Sequence, residues 1–221
     1  MPDGTDEQRI SVLNGGPLKV EGAVPVLDHE GTEIEASEPY FLCRCGGSSN
    51  KPFCDGTHNR NNFNGQEFAS KDTAADRSEN YIGEGVTIHD DRSRCSHAAL
   101  CGENLSAVFK SGVEPWIDAK GAQAEEIMRV VSLCPSGALS YSLADSPEPV
   151  ESSQESHVTV SVDGPYSVRG VQVVAGDGES YDPRERQALC RCGGSRNKPF
   201  CEGSHWHMGF KHEMGEDNGG V

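Results

Sequence analysis

Two stretches of sixteen residues, 43–58 (the first motif) and 190–205 (the second motif), contain the same cysteines and the same closing histidine. They are identical at thirteen positions and align without a gap. The shared spacing is Cys-x-Cys-x8-Cys-x3-His. Thiolates and imidazoles are metal ligands, so this repeat predicts two metal centres in one chain. The candidate ligands are Cys43, Cys45, Cys54 and His58 in the first motif, and Cys190, Cys192, Cys201 and His205 in the second.

A third group of cysteines lies between the two motifs and has a different spacing: Cys95, Cys101 and Cys134. An odd total of nine cysteines does not suit a closed set of disulfides. The N-terminal residues are polar and acidic, so the sequence predicts no secretory signal. We therefore expect free or metal-bound thiolates in the reducing cytoplasm.

The composition suits several small modules better than one large core. Only 34% of the 221 residues are hydrophobic, and 26 glycines and 12 prolines interrupt the chain. Small modules often need a metal or another staple to fold. The formal net charge of −16 argues against nucleic-acid binding, which depends on basic patches. No apolar run reaches the length of a membrane span, so we expect neither nucleic acid nor membrane as a partner.

The repeat extends beyond the motifs into the residues before them. Residues 10–22 and 158–170 each contain an alternating apolar run, a Gly-Pro turn and a second alternating run. This period of two predicts two short strands joined by a tight connection. A phenylalanine also follows each motif at the same distance, Phe63 and Phe210. Each repeat is therefore predicted to be a β-rich unit that carries a ligand loop.

The middle cysteines belong to a module with its own pattern. Residues 81–89 are predicted to form a strand, and residues 138–142 a returning strand. Between them, residues 122–133 are predicted to form a helix, because apolar residues recur along one helical face: Ile127, Val130, Val131 and Cys134.

These patterns predict an α+β fold. Two small β-rich modules, which could pack as an intramolecular pseudo-dimer, are joined by a small α+β module. The predicted boundaries are 8–65 for the first module, 66–80 for a linker, 81–144 for the middle module, 145–156 for a second linker and 157–213 for the last module.

Each motif closely resembles the CDGSH (mitoNEET-like) iron–sulfur family. The cysteines, the paired glycines, the run Asn-Lys-Pro-Phe-Cys and the closing histidine all agree. The resemblance implies one 2Fe–2S cluster in each motif, with an unusual set of three cysteines and one histidine as ligands. It implies that each iron has two protein ligands: Cys43 with Cys45, Cys54 with His58, Cys190 with Cys192, and Cys201 with His205.

The histidine sets the chemistry that this resemblance implies. A neutral imidazole in place of a thiolate makes a cluster less negative and raises its reduction potential. Imidazole is also the ligand that is protonated most easily near neutral pH, so proton-coupled, acid-labile centres are expected. Asp55 is expected to cap a helical turn at the end of the first motif. Spacing alone leaves zinc as an alternative, because Cys3His is also a tetrahedral structural zinc site.

The middle cysteines resemble those of the divergent single-cluster ferredoxin family, in which a local cysteine run and a remote Cys-Pro hold one cluster. In this chain Ala98 stands where the ferredoxin run has a cysteine. The three remaining thiolates match a 3Fe–4S cluster. A 4Fe–4S cluster stays open if His97, water or another group supplies the fourth ligand. Cysteines that bind no metal are the third alternative.

We expect a multi-cluster iron–sulfur protein that carries single electrons to or from a redox partner protein. The expected cofactors are two 2Fe–2S clusters and one 3Fe–4S or 4Fe–4S cluster. We do not expect an enzyme, because the sequence has no catalytic triad or phosphate-binding loop. The alternatives are a protein for cluster transfer or redox and pH sensing, and a zinc-stapled interaction scaffold. The chain is expected to be a monomer with an internal pseudo-dimer, or a homodimer.

Overall fold

The computed structural model describes residues 7–151 and 155–212. In this range the chain folds as an α+β protein with three four-stranded sheets. The first sheet contains, in spatial order, β11 (Gln172–Val174), β1 (Arg9–Val12), β2 (Leu18–Glu21) and β4 (Tyr40–Leu42). The second contains β12 (Arg186–Leu189), β10 (Tyr166–Arg169), β9 (His157–Val160) and β3 (Val26–Leu27).

The third sheet belongs to the middle module. It contains β5 (Glu79–Ile82), β6 (Val86–Asp90), β7 (Leu139–Leu143) and β8 (Ser146–Val150), all paired antiparallel. The helices are α1 (Ala74–Arg77), α2 (Leu100–Asn104), α3 (Ala124–Ser132) and α4 (Ser204–Met208). None of the helices in the described ranges has the length and apolar character needed to cross a membrane.

Alternating apolar residues account for the hairpin at the start of each repeat. β1 and β2 pair antiparallel with Ile10 opposite Val20, and both side chains are fully buried. β9 and β10 pair in the same way, with Val160 opposite Tyr166. The two predicted hairpins are therefore confirmed, and each presents one face to a hydrophobic core.

The two repeats exchange a strand with each other. β11, from the second repeat, pairs parallel with β1 of the first. β3, from the first repeat, pairs parallel with β9 of the second. One continuous hydrophobic core contains side chains from both repeats. The repeats therefore form an intramolecular pseudo-dimer, as the sequence suggested, and neither repeat completes its sheet alone.

The middle module differs in one element from the sequence prediction. Residues 81–89 were expected to form a single strand, but the chain turns at residues 83–85 and forms the hairpin β5–β6. Gly85 has a φ of +78°, a left-handed conformation that glycine adopts without steric cost. The predicted helix is confirmed as α3, and its apolar face is buried under β6 and β7: Ile127, Val130 and Val131.

Both predicted linkers contain regular structure within the described residues. In 66–80, α1 begins with a capping box in which Thr73 and Asp76 bond to each other's backbone N–H groups. In 145–156, β8 pairs with β7 at the edge of the middle sheet. Residues 152–154 of this linker lie outside the described residues. The second linker therefore extends the middle sheet, whereas the first packs on the second repeat, where Glu67 accepts from the Tyr181 hydroxyl and Lys71 pairs with Glu179.

Two buried charged residues join the middle module to the second repeat. Arg186 donates hydrogen bonds to the carbonyl groups of Val131 and Cys134, in and just after the last turn of α3, and pairs with Glu151 at 2.9 Å. Asp91, only 1% exposed, accepts hydrogen bonds from Arg77 and Arg184. Because these charges are desolvated and paired, they hold the middle module against the second repeat and not the first.

Candidate metal centres

The first motif places its donor atoms in two pairs. The Sγ atoms of Cys43 and Cys45 lie 3.6 Å apart, and the Cys54 Sγ lies 3.3 Å from the His58 Nδ1. The loop folds back on itself because the Cys43 N–H donates to the Pro52 carbonyl at 2.8 Å. This antiparallel return brings the remote cysteine and histidine to the end of β4.

The second motif repeats this arrangement. The Cys190 and Cys192 Sγ atoms lie 3.9 Å apart, and the Cys201 Sγ lies 3.4 Å from the His205 Nδ1. Two ligands on one tetrahedral metal, with bonds of about 2.3 Å to sulfur and about 2.0 Å to nitrogen, are separated by roughly 3.5–3.8 Å. The pairs therefore have the spacing of two ligands on one metal atom.

The donors are grouped two by two and not in larger sets. Across residues 7–151 and 155–212, no three His, Cys, Asp or Glu side chains are placed to bind a single metal ion. A cluster with two metal atoms needs two protein ligands for each. The paired donors thus fit a binuclear cluster, with Cys43 and Cys45 on one metal atom and Cys54 and His58 on the other.

Backbone N–H groups also point at the thiols in both motifs. Gly47 donates to the Cys45 Sγ and Gly56 to the Cys54 Sγ, each at 3.4 Å. The second motif has the matching hydrogen bonds, from Gly194 at 3.5 Å and from Gly203 at 3.4 Å. N–H groups aimed at sulfur favour a charged thiolate over a neutral thiol, as a metal ligand requires.

Burial opposes that charge when no metal is present. Burial raises the pKa of the Cys43 thiol, and it raises the pKa of the Cys201 thiol to about 12. These thiols are therefore protonated near neutral pH without a metal. A bound cation would compensate the thiolate charge and release the protons, so metal uptake and folding of these loops are coupled.

Asp55 stabilises the first motif in a different way from the one predicted. The short 3₁₀ turn at 57–59 begins at Gly56, which has no side-chain cap. The Asp55 carboxylate instead accepts hydrogen bonds from the Ser49 N–H and hydroxyl, at 2.9 and 2.8 Å, and from the Thr57 N–H. The Ser49 N–H bond, followed by those from Thr57, holds the Asp55 pKa well below its usual range. Asp55 therefore ties the two halves of the ligand loop together.

A buried arginine follows the first cysteine of each motif. Arg44 donates to the carbonyl oxygens of Leu13, Gly16 and Gly65. Arg191 is 1% exposed, and none of its guanidinium nitrogens has a hydrogen-bond partner in the described part of the chain. Burial lowers the pKa of Arg191, and the nearby side chains of Tyr166, Asp163, Cys43 and Cys192 act against that shift. A buried, unpaired cation beside thiols fits an anionic metal–thiolate cluster.

The recurring phenylalanines pack against these arginines. The Arg44 guanidinium lies 5.1 Å from the Phe63 ring centroid, and Arg191 lies 5.1 Å from that of Phe210. Cation–π contact of this kind positions a guanidinium without neutralising it. The repeat of Phe63 and Phe210 in the sequence is therefore explained by two equivalent arginine sites.

The two ligand loops touch each other across the pseudo-dimer. A Cβ atom on Gly46 would lie 2.5 Å from the Cys192 carbonyl oxygen, and one on Gly193 would lie 2.8 Å from that of Cys45. Both positions therefore require glycine. Tyr166, which is fully buried, adds a link by donating to the Cys43 carbonyl at 2.8 Å.

The two motifs differ in the solvent exposure of their donor residues. Cys45, Cys54 and His58 of the first motif are partly exposed. In the second motif all four donor residues are buried, and His205 is only 5% exposed. The same ligand sequence thus forms an accessible site in one repeat and an enclosed site in the other.

The middle cysteines line one cavity. Cys95, Cys101 and Cys134 all face it, as does His97. His97 and Ala99 have left-handed backbone conformations, with φ of +55° and +63°. The structure therefore brings the three predicted thiols together and places His97 beside them.

The middle module packs directly on the second motif. The Asn197 side-chain amide donates to the Ser93 carbonyl at 2.6 Å. The Arg94 guanidinium lies 3.5 Å from the centroid of the Phe200 ring. A Cβ on Gly203 would lie 3.2 Å from the His97 Cβ. This contact, which sequence reasoning missed, accounts for the burial of the second motif.

Comparison with known proteins agrees with this geometry. A family described as iron-binding zinc finger, CDGSH type, matches residues 15–59 and 163–206. The chain belongs to the CDGSH iron-binding family. A second family, described as divergent 4Fe-4S mono-cluster, matches residues 81–144 between the two CDGSH segments. The protein is therefore an iron–sulfur protein with two CDGSH modules that flank a mono-cluster module.

Two curated relatives also match, and both are named uncharacterized protein YjdI. One is from Escherichia coli strain K12 and the other from E. coli O157:H7. Each is 30% identical over 61 residues, which make up 28% of this chain and 80% of the relative. No solved structure matches the chain.

Proposed function

We propose that this CDGSH protein carries single electrons between three iron–sulfur centres. Each motif would hold one 2Fe–2S cluster through its four donor residues. The middle cavity would hold one 3Fe–4S or 4Fe–4S cluster through Cys95, Cys101 and Cys134, with His97 as the candidate fourth ligand. When bound, these clusters supply one-electron redox couples. The proposal gives no residue a catalytic role.

The contiguity of the three sites is the observation that carries this proposal. The middle site touches the second motif through His97 and Gly203, and the second motif touches the first through Gly193 and the Cys45 carbonyl. The sites thus follow one another in the order middle, second, first. The middle site and the first motif are therefore linked through two packed contacts, and each contact involves backbone atoms next to a candidate ligand.

The protein residues around the sites favour reversible reduction. The guanidinium groups of Arg44 and Arg191 are buried near thiols of both motifs, where they offset negative charge. Their positions are fixed by packing and not by flexible surface contacts. A preorganised positive charge favours the more negative, reduced state and requires little rearrangement when an electron arrives.

Proton coupling is proposed for the first motif in particular. In both motifs the histidine Nδ1 faces the neighbouring cysteine, which leaves Nε2 to carry the ring proton. His58 is partly exposed, whereas His205 is buried. Proton exchange with solvent would therefore be easier at His58, and acid would release the first cluster before the second.

An anaerobic titration tests the electron-transfer proposal. Protein from iron-replete cells is expected to contain iron and sulfide in about equal amounts, as 2Fe–2S and 4Fe–4S clusters do. Dithionite should bleach its visible absorption, and re-oxidation should restore it. Colourless protein that contains zinc would contradict the proposal and favour the zinc-stapled scaffold.

Cluster transfer or redox and pH sensing is the second candidate function, because the first motif is open to solvent. In this case His58 would gate release of the first cluster. Mixing the holo-protein with an apo-ferredoxin separates the two functions. Transfer of iron to the acceptor faster than electron exchange would favour release, and electron exchange without loss of iron would favour the carrier.

The partner that we propose is a redox protein, and neither nucleic acid nor a membrane. The net charge of −16 would steer a basic protein and repel phosphate groups. The cytoplasm is the proposed compartment, because none of the nine cysteines is paired in a disulfide and a reducing environment suits thiolate ligands.

A further inference from the structure

The contact between the middle module and the second motif has a counterpart on the first motif that no residue in 7–151 or 155–212 occupies. Three residues of the second motif make this contact: Asn197, Phe200 and Gly203. The equivalent residues of the first motif are identical: Asn50, Phe53 and Gly56. We call these three residues, together with Phe41, the open face.

The backbone of the open face matches that of its occupied counterpart. The Phe53 N–H donates to the Asn50 carbonyl at 2.8 Å, and the Phe200 N–H donates to the Asn197 carbonyl at 3.0 Å. Gly56 has a φ of +82°, close to the +84° of Gly203. The same docking geometry is therefore preformed on both motifs.

Nothing in the described ranges covers the open face. A Cβ on Gly56 would have no heavy atom within 4 Å, whereas His97 lies against Gly203. Asn50 is exposed, and its side-chain amide has no hydrogen-bond partner in residues 7–151 or 155–212. No cation lies over the Phe53 ring in the same ranges.

Two differences between the faces point to an external, cationic partner. Phe41 is 38% exposed, while its counterpart Ala188 is 2% exposed, so the open face has an additional aromatic contact. Glu202 of the second motif pairs with Arg196 at 3.6 Å. Its counterpart Asp55 accepts from neutral Ser49 instead, and no cation in residues 7–151 or 155–212 pairs with this carboxylate beside the open face.

We propose that the open face is the docking surface for an iron–sulfur redox partner whose cluster-binding loop presents an arginine and a main-chain carbonyl. The arginine would stack on Phe53, and the carbonyl would accept from the Asn50 amide. The template for this docking is the contact that residues 93–97 make with the second motif. This inference rests on the proposed electron-transfer function, because it places the partner beside the exposed cluster.

A second copy of this chain is a poorer occupant. The loop that would dock, residues 93–97, is already held against the second motif by Asn197 and Phe200 in its own chain. Residues 213–221 are another conceivable occupant and lie outside the described residues. The experiment below distinguishes docking of a second copy, or of residues 213–221, from docking of an external partner.

The probe is a fluorescein-labelled peptide that copies residues 92–99 with Cys95→Ser, added to the full-length holo-protein. Fluorescence anisotropy should show saturable binding. Asn50→Trp should abolish it by covering the open face, and Arg94→Gln in the peptide should weaken it about two- to fivefold by removing the cation–π contact. Asn104→Trp, an exposed substitution in the middle module, is the matched control and should leave binding unchanged.

Several outcomes would overturn the docking proposal. Absent binding would do so, as would equal binding to wild type and Asn50→Trp. Binding seen only when residues 213–221 are deleted would assign the face to that segment. Sedimentation that shows a dimer lost in Asn50→Trp would assign it to a second copy. Dithionite bleaching, recorded on the same samples, tests the proposed function separately: a bleachable protein that binds no peptide loses only the docking proposal.

Discussion

The first and second motifs differ at three of sixteen residues, yet they occupy different surroundings. In both, the donors have the same pairwise spacing and receive the same N–H···S hydrogen bonds. In the second motif the donors are buried by the middle module, and in the first they are partly exposed. The ligand sequence determines which metal group fits, and the neighbouring module determines how accessible that group is.

Under the proposed function, this difference would give the two sites different roles in a series of electron-transfer centres. The second motif lies between the other two sites and contacts both, so it suits internal electron transfer. Of the two other sites, the first motif touches the second within residues 7–151 and 155–212, and its donors are partly exposed, so under the proposed function it would exchange electrons with a partner. The two halves of the pseudo-dimer would thus have different positions in the proposed path of the electron, because only the second motif contacts the middle module within the described residues.

Replacement of one ligand in each motif gives the largest expected effect. Cys54→Ser and Cys201→Ser should each remove one cluster, or about two irons, from the holo-protein. Only Cys201→Ser should also interrupt the electronic interaction between the middle cluster and the first cluster, because the second cluster lies between them. Iron and sulfide analysis with low-temperature EPR measures both effects. Full iron content in either variant would show that the replaced cysteine is not a ligand.

Asp91→Asn should weaken the contact that encloses the second motif. Removing this carboxylate takes away the closest counter-charge of Arg77 and Arg184 and leaves them with Asp182, at 3.9 and 3.4 Å, so the expected cost is up to about 3 kcal/mol. The effect is measured by urea unfolding and by the rate at which a chelator removes iron from the second motif. Asp145→Asn, at an exposed position, is the control and should change neither. Wild-type protection of the second cluster in Asp91→Asn would contradict this account of its burial.

The same carboxylate predicts a pH dependence. Burial opposes ionisation of Asp91, but hydrogen bonds from Arg77 and Ser93, with the nearby Arg184 charge, hold its pKa below the ordinary value of 3.8. Its stabilising contribution is therefore fully present above pH 3.8 and is lost as the pH falls through the lower folded-state pKa. The free energy of unfolding of Asp91→Asn should therefore lack this dependence on pH.

Tyr166→Phe should have the smallest effect, and it probes the contact between the motifs. The substitution removes the hydroxyl that bonds to the carbonyls of Cys43 and Pro52, at a cost of about 1 kcal/mol. It should also shift the reduction potential of the first motif. Tyr40→Phe is the matched control, because its hydroxyl bonds to Val24 within one repeat. Equal potential shifts in both variants would show that Tyr166 has no particular link to the cluster.

Much of the local structure was predictable from sequence. Alternation identified the hairpins around the Gly-Pro turns, and helical periodicity identified α3. The strand turn at residues 83–85 was missed, although Gly83 and Gly85 inside the apolar run were its signal. Propensity favours a continuous strand there, but the hairpin buries Val86 and Ile88 and leaves Ile82 exposed.

The contacts between modules were not predictable in the same way. Alternation shows which side chains are buried, but it does not show that β3 and β11 pair with the opposite repeat. The bridging role of Tyr166 was also missed. Its signal was a difference between the copies, because the equivalent residue in the first repeat is Leu18. The residues that contact the middle module are identical in the two motifs, so comparison of the repeats alone could not reveal that contact.

Low-temperature EPR of the fully reduced holo-protein tests the central claim, that the second motif is the middle member of a series of three contacting centres. The account predicts signals split or broadened by magnetic interaction between neighbouring clusters. Cys201→Ser should remove that interaction and leave an unsplit signal from the first motif, together with an independent signal from the middle module if its cluster is 4Fe–4S. Three sharp, independent signals in the wild-type protein, unchanged in shape by Cys201→Ser, would contradict it.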